Sequence, residues 1–209
     1  HGHADALAVN LMVRNRPILI DPGTYRYNGA PEFRRYFKST RAHNTVAVDG
    51  RDQAEQASGF VWTHPFACHV ERFEDSDEGL LVCAWHDGYL RLSGSVRHRR
   101  TVFWDRKEAL IVDDTFHGSA EHRYELHFHI HPEAAVQEEN HRWCIESGGV
   151  RVCLKLVEGG SFRAIRGQPD PLMGWFSPAY GIKEPCTVLT ATCTGRPKNV
   201  RFRTLIWWE

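Results

Sequence analysis

The sequence predicts an all-β chain, an antiparallel sandwich, and three observations support that class. Apolar runs are short and are repeatedly bounded by Asp, Gly or charged residues. Several of these runs alternate strictly between apolar and polar positions, the period of a strand with one buried face. No stretch shows a convincing amphipathic helical spacing, and many short strands without helices read as a sandwich of antiparallel sheets.

Taken in order, Ala4–Arg14 and Pro17–Asp21 are apolar-rich runs joined at Asn15-Arg16, a connection short enough for a hairpin. A long polar loop with Pro22, Gly23, Gly29 and Pro31 then runs from Asp21 to His43, and loops of that length in a compact domain are usually functional. Thr45–Val48 leads into Asp49-Gly50, a turn signal. Strands follow at Ala67–Phe73, Gly79–His86, Tyr89–Arg97, Thr101–Trp104 and Ala109–Asp113. His122–His131 places Tyr124, Leu126, Phe128 and Ile130 on one face and Glu125, His127, His129 and His131 on the other. Val150–Val157 alternates as well, and Cys186–Cys193 and Val200–Trp208 close the chain. No internal repeat or low-complexity linker divides residues 1–209, so one domain is expected.

Composition narrows the function. With 209 residues, 42% hydrophobic and 25% charged, the chain can bury a core. Lys plus Arg equals Asp plus Glu at 26 each, which gives no argument for a nucleic-acid partner or an anionic membrane surface. No apolar run is long enough to span a bilayer. The six cysteines form no CxxC pair and sit mostly in apolar runs, so reduced core thiols are expected, although an even number permits disulfides. Thirteen histidines favour metal or proton chemistry. The chain opens directly on His1 with no signal peptide, which suggests a piece of a longer protein.

The residues that carry chemistry lie between His1 and His43. His3, Asp21 and His43 are two imidazoles and a carboxylate, a donor set suited to zinc with water or a fourth group completing the tetrahedron. Residue types alone leave a second reading open: a surface histidine, a strand-end aspartate and a histidine bonded to backbone in a turn. His127, His129 and His131 share a strand face, but ligands on one strand rarely close a tetrahedron, and a solvated or cleft-lining face accounts for them better. Trp207-Trp208 reads as packing of the last strand before it reads as a sugar-stacking pair. Among the loop aromatics, Tyr25, Tyr27 and Tyr36 carry phenols that can serve as acid or base near cations, or can pin the loop to the sheet. Arg26 suits a sugar carboxylate, or is a solvated loop arginine.

At these positions the chain resembles a known family. GHADAL, DPGTYRYNG and STRAHNTVAVDG, with GWFSPAYG at Gly174 to Gly181, resemble the second domain of the heparinase II/III-like polysaccharide lyases, a group that includes alginate and oligoalginate lyases. The resemblance implies a supersandwich-like β domain in which His3, Asp21 and His43 hold a structural zinc ion and His1 is a catalytic histidine at the substrate cleft. It also implies a substrate-contacting tyrosine in the loop, for which Tyr27 is the first choice and is taken as catalytic; Tyr25, Tyr36 and Arg26 are read from their residue types as substrate-binding neighbours. The implied reaction is β-elimination in a uronate polysaccharide, heparan-sulfate-like or alginate-like, in a periplasmic or secreted enzyme. Relatives carry an amino-terminal helical toroid that supplies further catalytic groups, and nothing in these residues resembles it. The chain is therefore expected to hold half a cleft and to be inactive, or nearly so, alone. The alternative is a zinc-stabilised carbohydrate-binding or structural module of an exopolysaccharide-related protein.

Overall fold

A computed structural model describes residues 2–209, and its strands form two main antiparallel sheets. In chain order the main elements are β1 (Leu11–Val13), β2 (Arg16–Leu19), α1 (Pro31–Lys38) and β3 (Val46–Val48). They continue with β4 (Cys68–Ser76), β5 (Gly79–Tyr89), β6 (Val96–Trp104), β7 (Ala109–His117) and β8 (His122–His129). The last are β9 (Ala135–Glu139), β10 (Arg142–Ser147), β11 (Val150–Glu158), β12 (Arg163–Arg166), β13 (Thr187–Gly195) and β14 (Arg201–Trp208). An eight-stranded sheet has the order β9-β10-β11-β14-β7-β6-β5-β4, and a four-stranded sheet the order β12-β13-β8-β3. Several two-stranded ribbons, among them β1-β2, complete the fold.

The core lies between the two sheets. Val112, Phe116, Val152, Leu154, Phe202 and Ile206 from the large sheet meet Val46, Val48, Tyr124, Leu126, Phe128 and Leu189 from the small one, all in one buried cluster. Alternation along β7, β11 and β14 sends every second side chain into this layer, as the sequence pattern requires. A smaller cluster of Tyr36, Phe37 and Ala42, packed against Tyr25, Phe33, Leu172 and Trp175, lies under the long loop. No helix among the described residues is long and apolar enough to cross a membrane.

Five expectations need correction. The loop from Asp21 to His43 contains α1, begun by Pro31 and followed by a 3-10 turn at Thr40–Ala42; the eight-residue helix was too short for its period to stand out. The first hairpin turns at Arg14-Asn15, both at positive φ, rather than at Asn15-Arg16. Tyr89–Arg97 is not one strand: β5 runs on to Tyr89 and β6 begins at Val96. His127 and His129 do not face solvent or a cleft, because β8 lies between β3 and β13 and both histidines are buried. Of the cysteines, Cys144 and Cys153 form a disulfide across β10 and β11, while Cys68, Cys83, Cys186 and Cys193 are free.

Candidate metal centre and the adjoining cationic pocket

Three chain segments bring the predicted ligands together. His3 precedes β1, Asp21 follows β2, and His43 caps the 3-10 turn after α1. Their donor atoms lie within 4.8 Å of one another. His3 Nδ1 is 3.2 Å from His43 Nε2, and His43 Nε2 is 3.5 Å from Asp21 Oδ2. Nitrogens about 2.05 Å from a tetrahedral zinc stand about 3.3 Å apart, so this spacing suits such an ion.

Hydrogen bonding fixes the donor atoms as well as their places. His43 Nδ1 lies 2.8 Å from the Ser39 carbonyl, which can only accept, so Nδ1 carries the proton and Nε2 presents its lone pair to His3 and Asp21. Asp21 Oδ1 accepts from the Gly23 amide at 2.9 Å, which leaves Oδ2 for the centre. Burial, and then the neighbouring His43 ring, push the His3 imidazole down to about 4, so it is neutral at pH 7 and able to donate a lone pair. The donor chemistry and the orientation of its supports therefore fit zinc.

Asn44, next to His43, ties the centre to the sandwich. Its Nδ2 donates to the Val9 and Ile20 carbonyls at 2.9 and 3.0 Å, and its Oδ1 accepts from the His129 amide at 2.6 Å. From β6, Arg100 Nη1 donates to the Asn44 and Leu7 carbonyls at 2.6 and 2.7 Å. Its Nε and Nη2 hold the two oxygens of buried Asp114 at 2.7 and 3.0 Å, and His98 Nε2 lies 2.6 Å from the same carboxylate. The segment bearing His43 is thus braced by the large sheet through a buried ion pair.

The other sequence candidates separate. Tyr27 is exposed, with Phe60 and Tyr180 at ring-centroid distances of 6.1 and 5.9 Å. Tyr25 is half-buried against Phe33 and Phe37, and exposed Arg26 lies over its ring at 5.3 Å. Tyr36 is a correction: expected to contact substrate, it is 3% exposed, and its hydroxyl accepts from the amides of Gly174 and Trp175 at 3.0 and 3.3 Å. It anchors the GWFSPAYG segment to α1 instead. That segment also meets the DPGTYRYNG loop, through Ser177 N to Pro22 O and Gly181 N to Tyr25 O, both 2.8 Å. Gly23 is needed at this junction, since a Cβ there would stand 2.3 Å from the Ser177 carbonyl oxygen and φ is +78°. His1 lies outside the described residues.

Sequence reasoning passed over Arg34 and Lys38. One helical turn apart on α1, they are 2% and 0% exposed. Lys38 Nζ donates to the Gly59 carbonyl at 3.0 Å and lies 4.3 Å from the Trp62 ring centroid. Arg34 Nε donates to the same carbonyl at 3.1 Å, and the guanidinium carbon lies 5.1 and 5.8 Å from the Tyr27 and Phe60 ring centroids. Arg34 joins the two groups of candidates, since its charge acts on His3 and its guanidinium lies over the Tyr27 ring. The signal available in the sequence was RRYFK, two cations at helical spacing beside aromatics.

Comparison with known proteins gives a consistent picture. A heparinase III structure superposes with a TM-score of 0.80 at 19% identity, over 99% of this chain and 30% of its own. The heparan sulfate lyase HepC from Pedobacter heparinus superposes at 0.78 and 16% identity, over 100% of this chain and 31% of its own. These likenesses show the fold, and the chain spans about 30% of the length of those proteins. No curated protein matches. The family model described as Heparinase II/III-like, C-terminal matches residues 1–204. The chain belongs to the Heparinase II/III-like, C-terminal family.

Proposed function

We propose that this chain is the carboxy-terminal part of a polysaccharide lyase that cleaves a uronate-containing polymer by β-elimination. The observation that carries the reading is the convergence of His3, Asp21 and His43 next to an aromatic and cationic surface, in a chain of this family. The similarity to a heparinase III and to a heparan sulfate lyase favours a heparan-sulfate-like polymer over an alginate-like one.

Elimination has three requirements. The uronate carboxylate must be neutralised so that the proton on the adjacent carbon becomes acidic, a base must take that proton, and an acid must protonate the departing glycosidic oxygen. Arg26, exposed beside Tyr25, suits the first. His1, two residues from the centre in sequence, and Tyr27 suit the proton transfers. His3, Asp21 and His43 would hold zinc, which when bound supplies a fixed cross-link between the start of the chain and the two ends of the Asp21–His43 loop. On this reading a helical amino-terminal domain supplies the rest of the cleft, and the enzyme works outside the cytoplasm. The Cys144–Cys153 disulfide supports an oxidising compartment.

The test is to incubate the full-length protein with heparan sulfate, heparin and alginate and to follow ultraviolet absorbance of the unsaturated uronate. Absorbance that rises on one polymer and is lost in His1→Ala, with fold and zinc retained, is the expected result. Saccharide binding without any unsaturated product would show an accessory module instead.

A further inference from the structure

Arg34 and Lys38 are two cations sunk beneath the surface with no carboxylate within ion-pair distance of either among the described residues. The nearest acidic influence on Lys38 is Asp52, whose carboxylate already accepts from the Thr40 amide and the Gln56 side chain. Lys38 at least directs its ammonium at two carbonyls, Gly59 and Ser58. Arg34 spends only Nε in this way, and both of its Nη atoms are buried without a hydrogen-bond partner among the described residues. Buried cations are retained where something compensates them; the Tyr27 and Phe60 rings over the guanidinium do so in part, and two unpaired guanidinium donors beside a cavity are a fork shaped for a planar or tetrahedral oxyanion. Such a cavity, of about 430 Å³, lies against Arg34 and is also lined by Tyr27, Asn28, Arg35, Ser58 and Phe60. Arg35, exposed on the same helix, adds a second positive charge at its wall.

We propose that Arg34 is the floor of an oxyanion subsite that receives a sulfate or carboxylate group of an acidic saccharide, with the Tyr27 and Phe60 rings flanking the sugar. The inference deepens the lyase reading and rests on it for the saccharide, while the oxyanion pocket rests on Arg34 alone. With the Tyr27 and Phe60 side chains drawn aside, the two Nη donors bind two oxygens of the group, the charge of nearby Lys38 adds attraction, and the two partly exposed rings suit the apolar face of a pyranose.

The test is binding to the full-length protein, measured by calorimetry with inorganic sulfate, glucuronate, heparan sulfate and chemically desulfated heparan sulfate, for wild type, Arg34→Lys and Arg34→Gln. Loss of a bidentate charged pair weakens affinity about ten- to hundredfold. A loss of that size confined to sulfate and the sulfated polymer assigns the pocket to sulfate. An equal loss on glucuronate and the desulfated polymer assigns it to the carboxylate. Arg34→Lys binding all four within twofold of wild type overturns the proposal. Should the variants not fold, wild type decides: at matched ionic strength, sulfate or glucuronate must raise the unfolding temperature saturably above chloride, and no such rise overturns it. Arg34-dependent binding without unsaturated product from any polymer would keep the subsite and remove the lyase reading. Elimination with KM unchanged in Arg34→Lys would do the reverse.

Discussion

Replacing Arg100 with Met tests whether the large sheet braces the metal centre. Met keeps the apolar stem and removes four hydrogen bonds, two to Asp114 and one each to the Leu7 and Asn44 carbonyls. Asp114 is then left wholly buried with His98 as its remaining side-chain partner among the described residues. Burial pushes the Asp114 carboxyl up, but the Arg100 charge and the hydrogen bonds from His98 and Arg100 outweigh it and hold it below its ordinary value. That contribution is present above the ordinary carboxylate range and is lost as pH falls through the depressed value. Stranding one member of a buried pair costs about 3–5 kcal/mol. In a domain of this size that lowers Tm by about 6–20 °C. The double variant Arg100→Met/Asp114→Leu removes both charges and should recover most of the loss. The assay is thermal unfolding at pH 7 with metal content measured alongside. A Tm within about 2 °C of wild type with zinc retained, or a double variant as unstable as the sum of both single changes, would refute the brace.

The purified chain should carry about one zinc, by mass spectrometry, lost in both His3→Ala and His43→Ala. Metal at a thousandfold excess over its Kd stabilises by about 4 kcal/mol, so chelation should lower Tm by about 8–16 °C, and an unchanged Tm would show that no ion is held there. Burial, with the nearby Arg41, Arg123 and Arg163 charges, pushes His127 down to about 3, and neither ring nitrogen has a hydrogen-bond partner among the described residues. Its lowered value means the unfolded chain takes up a proton first as pH falls below 6.5, so His127 should cost about 2 kcal/mol of stability between pH 7 and pH 5. His127→Leu should remove that part of the acid sensitivity, measured as the difference between melts at the two pH values. Tyr36→Phe strips the acceptor from the Gly174 and Trp175 amides and should cost about 1–3 kcal/mol in a denaturant titration.

The fold was legible where one face of a strand meets the core and the other does not. β7, β11 and β14 alternate, and alternation is a local property of the sequence. It failed at β8, where the same alternation, Tyr124-Glu125-Leu126-His127, belongs to a strand buried on both sides, because burial of the second face is decided by loops and strands distant in sequence. His3, Asp21 and His43 could be chosen by donor type, and the geometry brings them together. Tyr36 could not be separated from Tyr25 and Tyr27 without the helix, since the difference lies in which side of α1 meets Trp175. Arg34 and Lys38 were passed over for a related reason: charged residues in a polar loop read as solvated until the loop folds over them, and RRYFK marks them only once α1 is known.

The positions of these groups link the three candidate metal ligands to the pocket beside Arg34. Asp21 and His43 bracket the loop that carries Tyr25, Arg26, Tyr27 and, on α1, Arg34 and Lys38. Fixing its two ends to one ion restricts the loop more than any single hydrogen bond along it, because closure acts on every residue between the ends. His43 is also held from the sheet side through Asn44 and Arg100, so an ion on the three ligands and the buried ion pair would support the same segment. Loosening either should therefore reach Arg34. In Arg100→Met, and in wild type stripped of metal, affinity for inorganic sulfate or glucuronate should fall although no residue of the pocket has changed. Affinity in both that matched the untreated wild type would show that α1 holds the pocket by its own packing on Trp62 and Trp175, independent of the centre beside it.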